Sequence, residues 1–458
     1  MRDVSNVITK KYYNNKREFQ KNSGKELYDR PAWLKAVFIF FVALSGFGEW
    51  KAINSAVGGL PKAISAAVIA MAIIYCIVCT DFKNLKRVLK PYGMYLLLIL
   101  LIILWLIVIW LLNFTDISSI TRAGEKLTFQ FVSITVAVSA IYLFGVESID
   151  LFFYSMCISN GAIMAMEAMN YGVAESVQSL IQCIVTFGDA VDFTRAIEIH
   201  ELTFLFGQFM VYYAAFAPSK TRQQIKKRII CFILSTFFFL AGIKRIAVLA
   251  VGLAIIFALV MKRFKKIGKI LISIGIVFFV FYFYFLSSVR DGSFTNFMEK
   301  LGVDMMGRSY IWYLTKQFYQ LSPTFMGLGF EAVDAIAKGW VEDGTLQAAF
   351  MFHNDILKVF VELGFPGFCI WSLVQYVIYP IFFIKAYDTK TCLLYISVLI
   401  YISITYMTDN TAFYFWCTMG LRLIPLAYAF RIEPEEEEPK WTPPDKNSVK
   451  QLVHNAMT

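Results

Sequence analysis

Charge is what this chain has least of. Only 17% of its 458 residues are Asp, Glu, Lys or Arg, against about 25% in an ordinary soluble domain, and 58% are hydrophobic. A single soluble core cannot bury that much apolar surface, so a water-soluble globular protein is excluded and a polytopic membrane protein is implied. No stretch reads as a cleavable signal peptide, because the first 35 residues are polar and basic. No internal repeat is visible at any period. Cys76 and Cys79 have no second pair to accompany them, so this CxxC reads as small apolar packing within a span, not as a metal or redox motif. An Asp-x-Asp motif is missing from the segments read below as outward-facing. The expectation is therefore chemistry with no metal and no cofactor.

Long apolar runs are what the chain does have. A bilayer core of about 30 Å takes roughly 20 predominantly apolar residues per helix. Twelve runs of that kind occur, centred in 36–50, 63–80, 92–113, 127–145, 149–169, 201–217, 229–242, 245–261, 268–287, 355–384, 391–407 and 411–430. The predicted fold is all-α, a polytopic integral membrane protein with about 12 transmembrane helices. Its expected parts are a basic N-terminal segment over 1–35, nine spans in 36–287, a large loop over 288–354, three spans in 355–430, and a tail over 431–458. The tail is poor in apolar residues and reads as disordered.

Loop charges orient these spans. Lys10, Lys11, Lys16, Arg17, Lys21, Lys25, Arg30 and Lys35 precede the first run, which places the N-terminus in the cytoplasm by the positive-inside rule. Basic clusters at 83–90, 220–228 and 262–266 then return to the same side, and the tail ends there too. By contrast, residues 288–352 carry five basic and seven acidic residues. The net charge of +10 is thus topogenic, and nucleic acid is not implied as a partner.

Two outward segments are long enough for chemistry. Residues 170–200 end in Arg195, Glu198 and His200 and read as a surface segment or partial helix. Residues 288–352 form the longest loop, and unstructured loops of that length are usually functional. Within it, Ile311, Trp312, Thr315, Phe318 and Tyr319 fall at helical spacing, predicting an amphipathic helix near the outer interface.

Three positions stand out, each with a plainer alternative. Arg245 follows Lys244 in a short outward hairpin, where cations commonly snorkel to headgroups. Arg308 is a first-turn cation, unfavourable to the helix dipole, so local stability does not account for it. His353 lies where a histidine is often only a hydrogen-bonded structural residue. Here Asn354 and Asp355 are good N-caps for the next helix, so a helix N-terminus, which favours phosphate, faces the same space as the imidazole. Further along, Lys358 and Glu362 are four apart and can pair, Gly364 and Gly367 permit close helix packing, and Pro366 can kink the span.

These positions form a pattern: Arg-x-x-x-Leu at Arg245 to Leu249, Gly307-Arg308 followed by Ile311-Trp312, and His-Asn-x9-Gly-x-x-Gly at His353, Asn354, Gly364 and Gly367. The pattern resembles the O-antigen ligases and Wzy-type polymerases of bacterial surface polysaccharides. The resemblance covers 240–370 well and the remainder only in hydropathy. It implies a glycosyltransferase at the outer leaflet of the bacterial plasma membrane, using an undecaprenyl-pyrophosphate-linked oligosaccharide as donor. Arg245 and Arg308 would hold the pyrophosphate through permanently charged, bidentate contacts, and His353 would be the general base. Lys244, Asn354, Trp312 and Asp409 are the expected substrate-binding residues, Asp409 from the turn before the last span. The lipid bilayer is a partner by construction, and a flippase and a chain-length regulator of the same pathway are expected companions.

Polymerase and ligase differ in acceptor, which the motif does not separate. The Lys-, Ile-, Phe- and Tyr-rich usage resembles a low-GC genome, often one without lipopolysaccharide, and favours the polymerase. A lipid-linked sugar flippase or transporter is the reading from another class. It fits less well, since transporters tend to show two repeated halves with interrupted helices and midplane charges.

Overall fold

The computed structural model describes residues 30–113, 117–186, 192–242, 244–264, 267–300, 307–346 and 352–431. The expectations for the basic segment before residue 30 and for the tail after 431 lie outside the described residues. Those described form helices joined by turns and short irregular segments, with no strand among them. Each of the twelve apolar runs falls on a helix. Six helices are long and apolar enough to cross a membrane: Leu60–Cys79, Phe82–Asn113, Ile117–Phe144, Glu147–Tyr171, Gly268–Asp291 and Asp355–Ala386. A seventh crossing arises if Ala32–Phe47 and Lys51–Val57, bent by 86°, are one span. Arg245–Met261 and Thr389–Thr405 are apolar but shorter.

Helices suit these runs because a spanning backbone in hydrocarbon must satisfy its own hydrogen bonds. Polar caps mark where several of them begin. Thr221 and Gln224 form a reciprocal capping box ahead of Arg222–Ala241, and Asp388 accepts the Thr391 amide ahead of Thr389–Thr405. His200–Ala215, Thr389–Thr405 and Phe415–Ala429 are buried on almost every face and make the centre of the bundle. Peripheral helices turn apolar side chains outward, as Leu249, Ile256, Val277 and Tyr284 do. An apolar surface of that kind on both sides of a helix is what lipid accommodates.

The span that opens after His353 is broken. Gly364 leaves the helix with φ 66° and ψ −174°, and Pro366 supplies no amide of its own. The freed carbonyls are taken by other parts of the chain. Leu328 N–H donates to Val361 O at 3.0 Å and Gly329 N–H to Glu362 O at 2.9 Å. Trp105 Nε1 donates to Leu363 O at 2.7 Å. In the other direction Phe365 N–H donates to Phe325 O at 2.8 Å. The stretch 325–330 thus straps the break.

The segment 288–352 has structure of its own: helices Ser293–Lys300, Arg308–Thr315 and Ala332–Glu342, with a short 3-10 turn Lys316–Phe318. Of the expected helix, the α-helical part is Arg308–Thr315, ending before Phe318 and Tyr319, and protein covers its apolar face: Ile311, Trp312 and Thr315 are buried, while Tyr310 and Tyr313 face outward. The Lys358–Glu362 pair also forms, at 4.0 Å, yet the nearer partner of Lys358 is Asp334 of this segment at 2.6 Å. Lys126 joins Asp334 at 3.0 Å and pairs with Glu331. A charged knot therefore ties the loop to two spans.

Candidate functional site

Four helices begin around one turn, residues 406–410. They are His200–Ala215, Arg245–Met261, Arg308–Thr315 and Asp355–Leu373, and side chains at each start connect to the turn or to one another. Their N-termini bring partial positive charge to a common region.

His353 is fixed on both sides. The residue before it, Phe352, accepts the Trp312 indole N–H at 3.1 Å. After it, Asn354 caps the helix by accepting the Leu357 amide at 3.0 Å, Asp355 N–H donates to Tyr406 O at 2.8 Å, and the Asp355 carboxylate accepts the Ala412 amide at 2.7 Å. Between these anchors His353 adopts φ 48°, a left-handed conformation that costs a side chain-bearing residue about 1 kcal/mol or more. The result is an imidazole about one fifth exposed, its Nδ1 3.5 Å from Asp409 Oδ1. The pair is in contact but not aligned as a formed hydrogen bond, a looseness common in catalytic pairs before substrate arrives.

Asp409 is buried, and its Oδ1 accepts the Asn410 amide at 2.8 Å. Burial alone raises a carboxyl pKa, but His353, Lys244 and His200 outweigh it and hold this one down to about 2. Asp409 is therefore an anion ringed by two imidazoles and an ammonium. Lys244 in turn pairs with Glu198 at 2.7 Å and lies 3.5 Å from His200 Nε2, which is 3.3 Å from Glu198. On the other flank, Arg308 donates from Nη1 to Thr408 O at 3.1 Å, one residue from Asp409.

His353, Arg308, Asp409 and Lys244 are thus brought together at one end of the bundle. Arg245 opens its helix one residue after Lys244 and is exposed at that same end, with Leu249 exposed one turn further on. Trp312 and Asn354 lie beside His353 in the fold. Both are buried: the Trp312 indole N–H holds Phe352 O and Asn354 Oδ1 caps the helix start, so each shapes the backbone around His353, while Asn354 Nδ2 has no hydrogen-bond partner. Glu198 and His200 were visible in the sequence only as polar residues ending a surface segment, and nothing there linked them to Lys244. The opposite end of the bundle is different in kind: Arg228 Nε donates to Tyr213 O at 2.7 Å, Lys262 caps Ala215 O, and the basic clusters of 220–228 and 262–266 follow.

Fold and site together define a helical integral membrane protein with an imidazole, a carboxylate and several cations gathered at one end of the bundle. Residues 230–372 match the family model described as O-antigen ligase. That span contains Arg245, Arg308 and His353, and covers less than a third of the chain. No curated protein matches the chain. The matched domain supports a glycosyltransferase of the ligase or polymerase type, acting in a membrane on lipid-linked glycans.

Proposed function

We propose that the chain polymerises undecaprenyl-pyrophosphate-linked oligosaccharide repeat units into a surface polysaccharide at the outer leaflet of the bacterial plasma membrane. The observation that carries this reading is His353 set against Asp409, with Arg308 on one flank and Lys244 on the other. With Nδ1 turned to the carboxylate, Nε2 is the nitrogen left to take a proton from an acceptor hydroxyl. The hydroxyl oxygen bonds to the anomeric carbon as the bond from that carbon to the diphosphate oxygen breaks, and the proton goes to His353. Negative charge grows on the departing diphosphate. Arg308, Lys244 and Arg245 answer it, assisted by the helix N-termini.

Twelve crossings, with both termini cytoplasmic, accord with the basic clusters lying at the end opposite the site. The gathering of charge at one face, not at the midplane, favours a one-sided enzyme over a flippase. Ligation to an acceptor such as lipid A-core would use the same residues. The discriminating experiment supplies purified protein in lipid with radiolabelled single-repeat donor. Wild-type protein yields a ladder of lengthening chains and His353→Ala leaves single repeats. Full-length lipid-linked glycan accumulating in cells that lack the protein would overturn polymerisation in favour of ligation, and flipping of donor without elongation would overturn both.

A further inference from the structure

Arg422 belongs to no part of the site described above. It lies inside helix Phe415–Ala429 and is only 4% exposed. Seven residues into that helix, it sits about 10 Å along the axis from the helix start. Its guanidinium packs over Tyr95 and Tyr379, 5.3 and 5.1 Å from the ring centroids. Ring faces attract the charge but accept no N–H in a conventional hydrogen bond, and both Nε and Nη1 are buried with no hydrogen-bond partner. The nearby hydroxyl protons are committed elsewhere: Tyr95 to Arg422 O at 3.1 Å, Tyr379 to Tyr95 O at 3.2 Å, and Tyr395 to Gln375 O at 2.9 Å. Among the described residues no carboxylate pairs with it, and the groups acting on it most strongly are tyrosines.

A cavity of about 50 Å³ is lined by Arg422, Gln130, Gln375 and Thr418 among apolar side chains that include Trp371 and Phe413. One water needs roughly 10–15 Å³ on this scale, so the space takes a few waters or one small ion with part of its shell. A lipid-linked diphosphate is too large for it. Water would satisfy the free N–H groups yet leave a full positive charge without a counter-ion inside protein, where such a charge is costly.

We infer that the cavity beside Arg422 binds a small monovalent inorganic anion of halide size. The anion is held by the Arg422 N–H groups inside a wall of side chains from helices Phe82–Asn113, Ile117–Phe144 and Asp355–Leu373, and Tyr406, Ala412 and Phe413, at and just beyond the turn bearing Asp409, also line the cavity.

The deciding experiment is anomalous diffraction from wild-type crystals grown in sodium bromide. The expected result is a bromine peak within hydrogen-bond distance of Arg422 Nε or Nη1, and a cavity without a peak overturns the inference. Thermal unfolding of the purified protein gives the solution counterpart. The wild type melts several degrees higher in chloride or bromide than in gluconate, which is too bulky to enter, and Arg422→Met melts alike in all three. Equal melting of the wild type in the three salts also overturns the inference.

Discussion

At the residue scale, His353 and Asp409 divide one task. In the proposed reaction the imidazole moves the proton, and the carboxylate fixes which nitrogen is available and stabilises the imidazolium that forms. Removing the base, His353→Ala, is expected to slow elongation of a labelled lipid-linked donor by about 100- to 10,000-fold. Asp409→Asn keeps the shape but loses the charge, so elongation falls by a smaller factor while the protein still inserts and folds. Arg308→Ala is expected to cost about 100- to 1000-fold, the usual loss when one preorganised donor to developing charge is removed. Equal ladders from wild type and any of these variants at matched expression would remove that residue from the mechanism.

Asp409 also carries a pH signature. An unfolded aspartate titrates near 3.9, whereas in the folded protein His353, Lys244 and His200 overcome burial and hold this carboxyl to about 2. Because the folded value is the lower one, the stability it supplies is complete above about pH 4 and is lost as pH falls through about 2. The melting temperature of wild type should therefore exceed that of Asp409→Asn at neutral pH, and the gap should close between about pH 4 and pH 2. A gap that stays constant over that range would show that His353, Lys244 and His200 do not depress this group.

At the scale of elements, the broken helix is the piece that places the site. His353 stands at its head, and its lower half is displaced at Gly364 so that the strap 325–330 can close against it. A Cβ at Gly364 would lie 2.2 Å from the Met326 carbonyl carbon, in a backbone region that disfavours side chains. Gly364→Ala is expected to destabilise by about 2 kcal/mol or more, read as a lowered unfolding midpoint. Trp105→Phe is gentler: it strands the Leu363 carbonyl and should cost about 1–3 kcal/mol. Wild-type midpoints in both variants would mean that the strap does not hold the break.

These elements also show how far the sequence could be read. Pro366 announced a kink while Gly364 and Gly367 read as close-packing positions, and Ile311, Trp312, Thr315, Phe318 and Tyr319 announced a helix with an apolar face, because these signals are local. What covers that face, and what captures the carbonyls of 361–363, depends on chain 30 to 260 residues away and leaves no mark on periodicity. The site followed the same rule. His353 and Arg308 were legible from their motifs, but Asp409 as the partner of His353 was not, and Glu198 and His200 as partners of Lys244 had no local signal at all. Trp312 and Asn354 were legible as important positions, while their service to the backbone became visible only through their burial.

At the scale of the whole molecule, the reading depends on which side each end of the bundle faces. His200–Ala215 and Arg245–Met261 both begin at the site and finish where Arg228 and Lys262 grip carbonyls at residues 213–215, so the site and the basic loops sit at opposite ends of the same helices. Cations beside a span tend to be retained on the cytoplasmic side, so the proposed orientation puts His353 outside, where the proposed lipid-linked donor would arrive. Single cysteines test this in a background with the eight native ones replaced. A membrane-impermeant thiol reagent added to intact cells or spheroplasts should label Lys244→Cys and Tyr310→Cys, while Lys226→Cys should react only after permeabilisation. Labelling of position 226 from outside would invert the protein and bring the proposed reaction to the cytoplasmic leaflet. If positions 244 and 310 instead fell on different sides, the contacts that gather Lys244, Asp409 and Arg308 around one turn could not exist in the membrane, and the shared site would be refuted whatever the orientation.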